Sequence, residues 1–224
     1  MKKAAILALT MLALPAMAQD QRVSLVFDQT KHEDTTFSSG GSSQNLSLDN
    51  TTAIGLRYGI TAGHFWNGAL DIEGTIRPRS NEKDLKVNGV VASSGTQSIK
   101  LSDEYLSLGV GMHWTQVVDF GFMLEARQES MDFKLEDNGF SDTQRSSVTR
   151  PWLRAQVGYT FPTQSSVKPF VNIAYGFALA KKGTSTAELL GLSASTYSQN
   201  FVIDFYSRSV LPKSEISLEA GIRF

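Results

Sequence analysis

Eight segments of this chain alternate large apolar side chains with polar, charged or glycine residues at period two. That pattern restricts its fold more than any other feature. The first begins near Val23, where Val23, Leu25 and Phe27 oppose Ser24, Val26 and Asp28. The others run over 54–62, 70–77, 106–114, 120–129, 153–161, 171–179 and 216–224. In 106–114, for example, Leu106, Leu108, Val110, Met112 and Trp114 oppose Ser107, Gly109, Gly111 and His113. Side chains two apart share one face of a strand, so each segment predicts a strand with one apolar and one polar face.

The chain opens with Met1-Lys2-Lys3, an apolar stretch from Ala4 to Leu14, Pro15, and then Ala16-Met17-Ala18. A basic start, a short apolar core and an A-x-A ending predict a bacterial secretory signal over 1–18, cleaved after Ala18. The apolar run is shorter than the ~20 residues of a spanning helix. Removing Lys2 and Lys3 leaves 19 basic and 22 acidic residues, net −3, in an exported chain of residues 19–224. A charge balance near zero and a pI near 6.3 exclude a nucleic-acid binder, whose footprint is basic. The absence of cysteine excludes disulfides and thiolate metal sites, and a mean hydropathy of −0.15 excludes a helical membrane protein.

Connections between the segments alternate in length. Long ones are expected at 38–50, 79–98, 136–147 and about 181–213; short ones at 66–68, 115–119 and 162–168. Within the last long connection, 199–211 alternates as well and is expected to extend the eighth strand or to form a hairpin above the membrane. Long loops on one side and short turns on the other predict an all-β fold, an eight-stranded antiparallel transmembrane up-and-down barrel with extracellular loops and periplasmic turns.

A soluble calyx would also close eight strands, with its apolar face inside. The distribution of charge decides between the two. The polar face carries Arg57, Asp71, Glu73, Arg77, Glu125, Arg127, Glu129, Arg154, Glu219 and Arg223, too many ionisable groups for a soluble core and suited to a barrel lumen. Aromatic residues gather at the short-turn ends: Phe65, Trp66, Trp114, Phe120, Phe122, Tyr159, Phe161 and Phe170. They are expected to form the girdle at the headgroup level.

The chain ends in Leu218-Glu219-Ala220-Gly221-Ile222-Arg223-Phe224. With the signal segment, eight amphipathic strands and loop alternation, this ending resembles the small outer-membrane β-barrels of Gram-negative-type bacteria, the OmpA/OmpX-like group. The resemblance is architectural and covers the mature chain. It implies that Leu218, Ala220, Ile222 and Phe224 form a signal read by the barrel-assembly machinery. It also implies lipid and lipopolysaccharide as surroundings, and a lumen of at most small conductance.

Glu73, Arg57, Glu125, Arg127, Arg154 and Glu219 fall at similar heights and are expected to meet inside as a structural ion-pair plug. Eight strands leave room for little more than side chains, and an unpaired buried charge is costly. The alternative is a narrow channel tuned by the same charges. Inward glycines at 55, 59, 109, 111, 121, 158, 176 and 221 are expected to make room for the arginines. The scaffold also hosts lipid A-modifying enzymes. Of His32, His64 and His113, only His32 lies at the outer-leaflet level, and no serine is singled out as its partner. A non-enzymatic role without metal or cofactor is therefore expected: membrane structure, or binding of an extracellular ligand or host surface through the loops. Arg79, Lys83 and Lys86 are candidates for contact with lipopolysaccharide, and the apolar 187–192 and 197–210 for adhesion.

Overall fold

The computed structural model describes residues 20–39, 42–94, 97–115, 117–181, 184–185 and 209–224. The signal segment, most of the connection after residue 181 and the question of a strand at 199–211 fall outside them.

Eight long strands build the body: β1 (Gln21–His32), β2 (Thr51–Phe65), β3 (Gly68–Arg77), β4 (Gln97–Thr115), β5 (Asp119–Asp137), β6 (Phe140–Thr160), β7 (Lys168–Ala178) and β8 (Pro212–Arg223). Each pairs antiparallel with its sequence neighbours. β8 pairs with β1 through Arg22↔Arg223 to Lys31↔Ser214, which closes the ring. Closure leaves no open edge at membrane depth, where unpaired backbone groups would find no water.

Alternation along the strands sorts the side chains. Leu25, Phe27, Ile54, Leu56, Leu108, Val110, Phe122, Leu124, Val157 and Ile173 are exposed on the outside, where they face hydrocarbon. Arg57, Glu73, Glu125, Arg127, Arg154 and Glu219 are buried inside. At three inward glycines the fit is close. A Cβ on Gly59 would lie 2.6 Å from Arg22 Nε, one on Gly109 would lie 3.0 Å from Glu125 Cγ, and one on Gly158 would collide with the Val171 carbonyl and Asn172.

The extracellular connections are more regular than the sequence reading expected. β5 continues to Asp137 and β6 starts at Phe140, so the expected loop 136–147 is a tight hairpin turning at Asn138-Gly139. The expected loop 38–50 overlaps strand Thr35–Ser39 and contains Ser42–Leu48, and 79–98 contains Lys83–Val87, Val90–Val91 and Ser93–Ser94. Asn88 and Gly89 have φ of 53° and 80°, Asn138 and Gly139 of 46° and 87°. These are left-handed pairs, the geometry Asn-Gly favours in two-residue hairpins. On the periplasmic side Trp66 and Asn67 turn the same way, with φ of 48° and 58°.

β4, β5 and β6 run for 19, 19 and 21 residues, whereas crossing takes about 9–11 tilted residues. Roughly half of each strand therefore stands above the bilayer, and there the two faces exchange character. Outward positions of β5 pass from Phe120, Phe122, Leu124 and Ala126 to Gln128, Ser130, Asp132 and Lys134. Inward ones pass from Glu125, Arg127 and Glu129 to Met131 and Phe133. β4 does the same, from Leu106 to Glu104 outside and from Asp103 to Leu101 inside. Leu46, Leu48, Leu85, Leu101, Met131, Phe133, Val148, Val210 and Leu211 form a buried apolar cluster at this level. It roofs the lumen.

Candidate functional site

The lumen is layered. In the middle layer Arg57 Nη1 donates to Glu219 at 2.9 Å and its Nε lies 3.9 Å from Glu73. Arg154 bonds Glu73 and donates to Glu125 at 2.6 Å, while Arg127 reaches Glu125 at 2.7 Å and Glu215 at 2.8 Å. All of these side chains are almost completely buried. The six residues expected to meet are thus brought together by strands β2, β3, β5, β6 and β8, which place them on one face at one height.

Four further residues from the sequence reading fall elsewhere. Asp71 sits nearer the periplasm, bonded to Arg22 at 2.7 Å, to Thr61 at 2.9 Å and to His113. Arg77 lies higher, 3.1 Å from Asp28 and bonded to Asp103, and Glu129 pairs with Arg150 at 2.7 Å. Arg223 is separate from the middle layer: it stands at the periplasmic rim, 3.2 Å from Asp20.

Sequence reasoning missed the aromatic half of the lumen. Arg127 lies 4.3 Å from the ring centre of Tyr105 and 4.1 Å from that of Trp152. Arg77 stands 5.5 Å from Tyr105 on one side and Arg150 5.7 Å from Trp152 on the other. Guanidinium and ring alternate through five buried residues, and each contact draws the cation to the ring's negative face. Tyr105, Trp152 and Glu215 were overlooked because each lies one residue before the expected strand start, at 106, 153 and 216. Continuing the alternation one step places all three inward.

The aromatic residues of the short-turn ends lie on the outer face, with one correction. Phe65, Trp66, Phe120, Phe122, Tyr159 and Phe161 are exposed on the outer face, with Trp114 half-buried among them. Trp114 stacks on Phe120 at 5.2 Å, and Tyr159 meets Phe161 edge-on at 5.1 Å. Phe170 is instead buried inside the barrel. Val171, Ile173 and Tyr175 take the lipid face of β7, so position 170 has inward parity with Asn172 and Ala174. Leu218, Ala220, Ile222 and Phe224 line the lipid face of the closing strand, all exposed.

The histidines fall at three levels. His64 is exposed at the periplasmic turn and His113 is inside the mouth. His32 does not lie open to the outer leaflet: it is 2% exposed inside the upper lumen, above the membrane-spanning part, its Nε2 3.8 Å from Asp103 Oδ1. Among the described residues neither ring nitrogen has a hydrogen-bond partner, and Ser80 Oγ bonds Asp103 at 2.6 Å rather than His32. Burial pushes the imidazole below its usual value of 6.5. Among the described residues no cluster of three His, Asp or Glu could hold a metal ion.

On the outer face just above the bilayer, Asp132 is bonded by Arg79 and by Arg145 at 2.7 Å, and Arg145 reaches Glu104 at 2.8 Å. Lys86 pairs with Asp49 at 2.8 Å. Two of the three cations assigned to lipopolysaccharide are therefore already paired. In the upper hairpin, hydrogen bonds from Lys134 and Lys100 hold the Glu136 carboxyl down to about 2. The apolar segments 187–192 and 197–208 lie outside the described residues.

A closed ring of eight antiparallel strands, a lipid-facing apolar belt and a charged lumen define an eight-stranded transmembrane β-barrel, the fold that the resemblance to small outer-membrane barrels implied. No family model matches the sequence, and no curated protein matches it. Solved structures of similar shape include a major outer membrane protein from Thermus thermophilus, at 12% identity over 91% of this chain and 99% of that one, with a TM-score of 0.49. They include Ail, the attachment invasion locus protein of Yersinia pestis, in complex with the heparin analogue sucrose octasulfate, at 15% identity, 92% and 98% coverage and a TM-score of 0.46. The outer membrane protease OmpT of Escherichia coli matches at 10% identity, 92% and 95% coverage and a TM-score of 0.46.

Proposed function

We propose that this is a non-conducting, non-enzymatic outer-membrane barrel whose work is done by the β-structure it raises above the bilayer. The observation that carries this reading is the double obstruction of the lumen: interlocked ion pairs and guanidiniums packed against rings at membrane depth, then an apolar roof. Each middle-layer carboxylate meets an arginine, so opening a path means separating buried opposite charges, which is costly. The raised part ends in hairpin tips that hold apolar residues out to solvent. Phe140 is 84% and Val90 69% exposed, each beside an Asn-Gly turn. Exposed apolar groups on rigid tips suit contact with an extracellular ligand or host surface. Export with removal of residues 1–18, and insertion by the barrel-assembly machinery through Leu218, Ala220, Ile222 and Phe224, belong to the same reading.

In planar bilayers the purified chain is expected to be silent; single-channel steps that grow after Glu73→Gln or Arg127→Gln would overturn the plugged lumen. For the surface role, cells displaying Phe140→Ser with Val90→Ser are expected to lose adhesion while heat-modifiable gel migration stays normal. Unchanged adhesion refutes it.

A further inference from the structure

The periplasmic rim holds a row of like charges. Register sets Arg223 of β8 opposite Arg22 of β1 on one side and opposite Lys168 of β7 on the other. Parity with Glu219 and Gly221 turns Arg223 to the lumen face, and parity with Phe170 and Asn172 turns Lys168 there too. Like charges directly opposite one another destabilise a sheet unless anions stand between them.

Arg22 has its anions: it is buried against Asp71 at 2.7 Å and against Glu73. Arg223 is only partly compensated, through Nε to Asp20 at 3.2 Å. The fork of a guanidinium carries five N–H donors; with Nε facing Asp20 and Nη2 facing His113 Nε2, Arg223 still has donors left for another acceptor. Lys168 is exposed at the rim. Arg223 and Lys168 border a cavity of about 330 Å³ that opens to the periplasm, and His113 borders it from within. The bond from His113 Nδ1 to Asp71 fixes the ring and leaves Nε2 3.5 Å from an Arg223 nitrogen. Its side chain is 7% exposed. A buried imidazole nitrogen, a guanidinium and an ammonium thus surround one small open space. Lys168, Arg223 and Asp20 together leave it a charge of +1.

We propose that this cavity binds a small phosphate-class oxyanion from the periplasmic side, held by Arg223 and Lys168 with His113 Nε2 at its inner wall. Its charge completes the row that the protein's own carboxylates leave open. The site lies across the membrane from the surface-binding tips and is independent of them. The phosphate arrives either free or as the headgroup of an inner-leaflet phospholipid, since the rim stands at that depth.

The test uses the full folded chain in dodecyl maltoside micelles, which contain no phosphate, titrated calorimetrically with inorganic phosphate at constant ionic strength. Saturable binding is expected, weakened about tenfold or more in Lys168→Gln and in Arg223→Gln, because each removes a charge-assisted hydrogen bond. Asp20→Asn is expected to tighten it by removing the competing carboxylate. Lys168 lies outside the closing strand, so its variant decides the matter if Arg223→Gln fails to assemble. Repeating the titration in phosphatidylglycerol nanodiscs separates the sources. Binding retained there supports free phosphate; binding seen in micelles and lost in nanodiscs supports the lipid headgroup. Absence of saturable binding in micelles, or equal affinity in Lys168→Gln and the unaltered chain, overturns the proposal.

Discussion

Arg127 is the most demanding test of how the lumen is held. Replacing it with Met removes the ion pairs to Glu125 and Glu215, at 2.7 and 2.8 Å, and the guanidinium between Tyr105 and Trp152. Glu125 keeps Arg154 at 2.6 Å, but Glu215 is left with the Tyr105 hydroxyl at 3.4 Å. Stranding one partner of a buried pair costs about 3–5 kcal/mol. Two lost ring contacts add roughly 0.5–2 kcal/mol each, partly recovered by the methionine sulfur between the same rings. The expected loss is therefore about 5 kcal/mol, read as a lower urea midpoint by tryptophan fluorescence in micelles, with heat-modifiable migration confirming the folded baseline. The double variant Arg127→Met with Glu215→Met removes the stranded charge and is expected to recover most of that loss, because apolar replacement of a whole buried pair is often close to neutral. A single variant that loses less than about 1 kcal/mol, or a double variant as unstable as the single, would refute the claim that stranded charge dominates.

Other outcomes follow from the same geometry. Gly158→Ala would drive a Cβ into the Val171 carbonyl and is expected to cost about 1–3 kcal/mol by the same urea assay, since backbone must move. His32 has a native pKa below 6.5, so the unfolded chain takes up its proton first as pH falls. Stability is then lost below about pH 6.5, and His32→Phe is expected to flatten the thermal midpoint between pH 7 and 5. The Glu136 carboxyl is held down to about 2 by Lys134 and Lys100, so the stability these ion pairs contribute is full above the usual carboxylate value of 4.5 and is lost progressively as pH falls from there toward about 2. Carbon-detected NMR of that carboxylate should titrate well below 4.5, and Lys134→Gln should move it back up. Phe133→Ala in the roof is expected to cost about 3–5 kcal/mol while leaving bilayer recordings silent, because the ionic layers beneath remain.

Much of this was legible because lipid and lumen impose opposite chemistry on alternate residues. Leu108 against Ser107, or Phe122 against Gly121, reveals its face without any knowledge of partners. The middle layer was equally legible, since inward charges at matching heights in a narrow barrel have nowhere else to go. The strand ends were less so. Tyr105, Trp152 and Glu215 stand where the outward face loses its apolar run, so a reading anchored on that run stops one residue early. Phe170 was misplaced because an aromatic residue near a turn suits a girdle by composition, while parity with Asn172 puts it inside. The raised hairpins left a signal that was not used: Asn88-Gly89 and Asn138-Gly139 are tight-turn dipeptides inside stretches read as loops. Above the bilayer the alternation continues with its sign reversed, and a search for apolar-outward strands passes over it.

That reversal bears on insertion. The outer halves of β4, β5 and β6 must cross the hydrocarbon before they reach water, and they do so with Glu104, Asp132, Lys134 and Arg145 on their outward face. Transit of isolated charges would be prohibitive. Here Arg145 bridges Asp132 and Glu104 across three adjacent strands, and Lys134 sits 2.7 Å from Glu136. A hairpin that forms these pairs before it crosses carries nearly neutral cargo, and its Met131 and Phe133 side chains lie equally well against lipid. The arrangement that makes the upper half a water-facing structure at its destination also lowers the barrier on the way there.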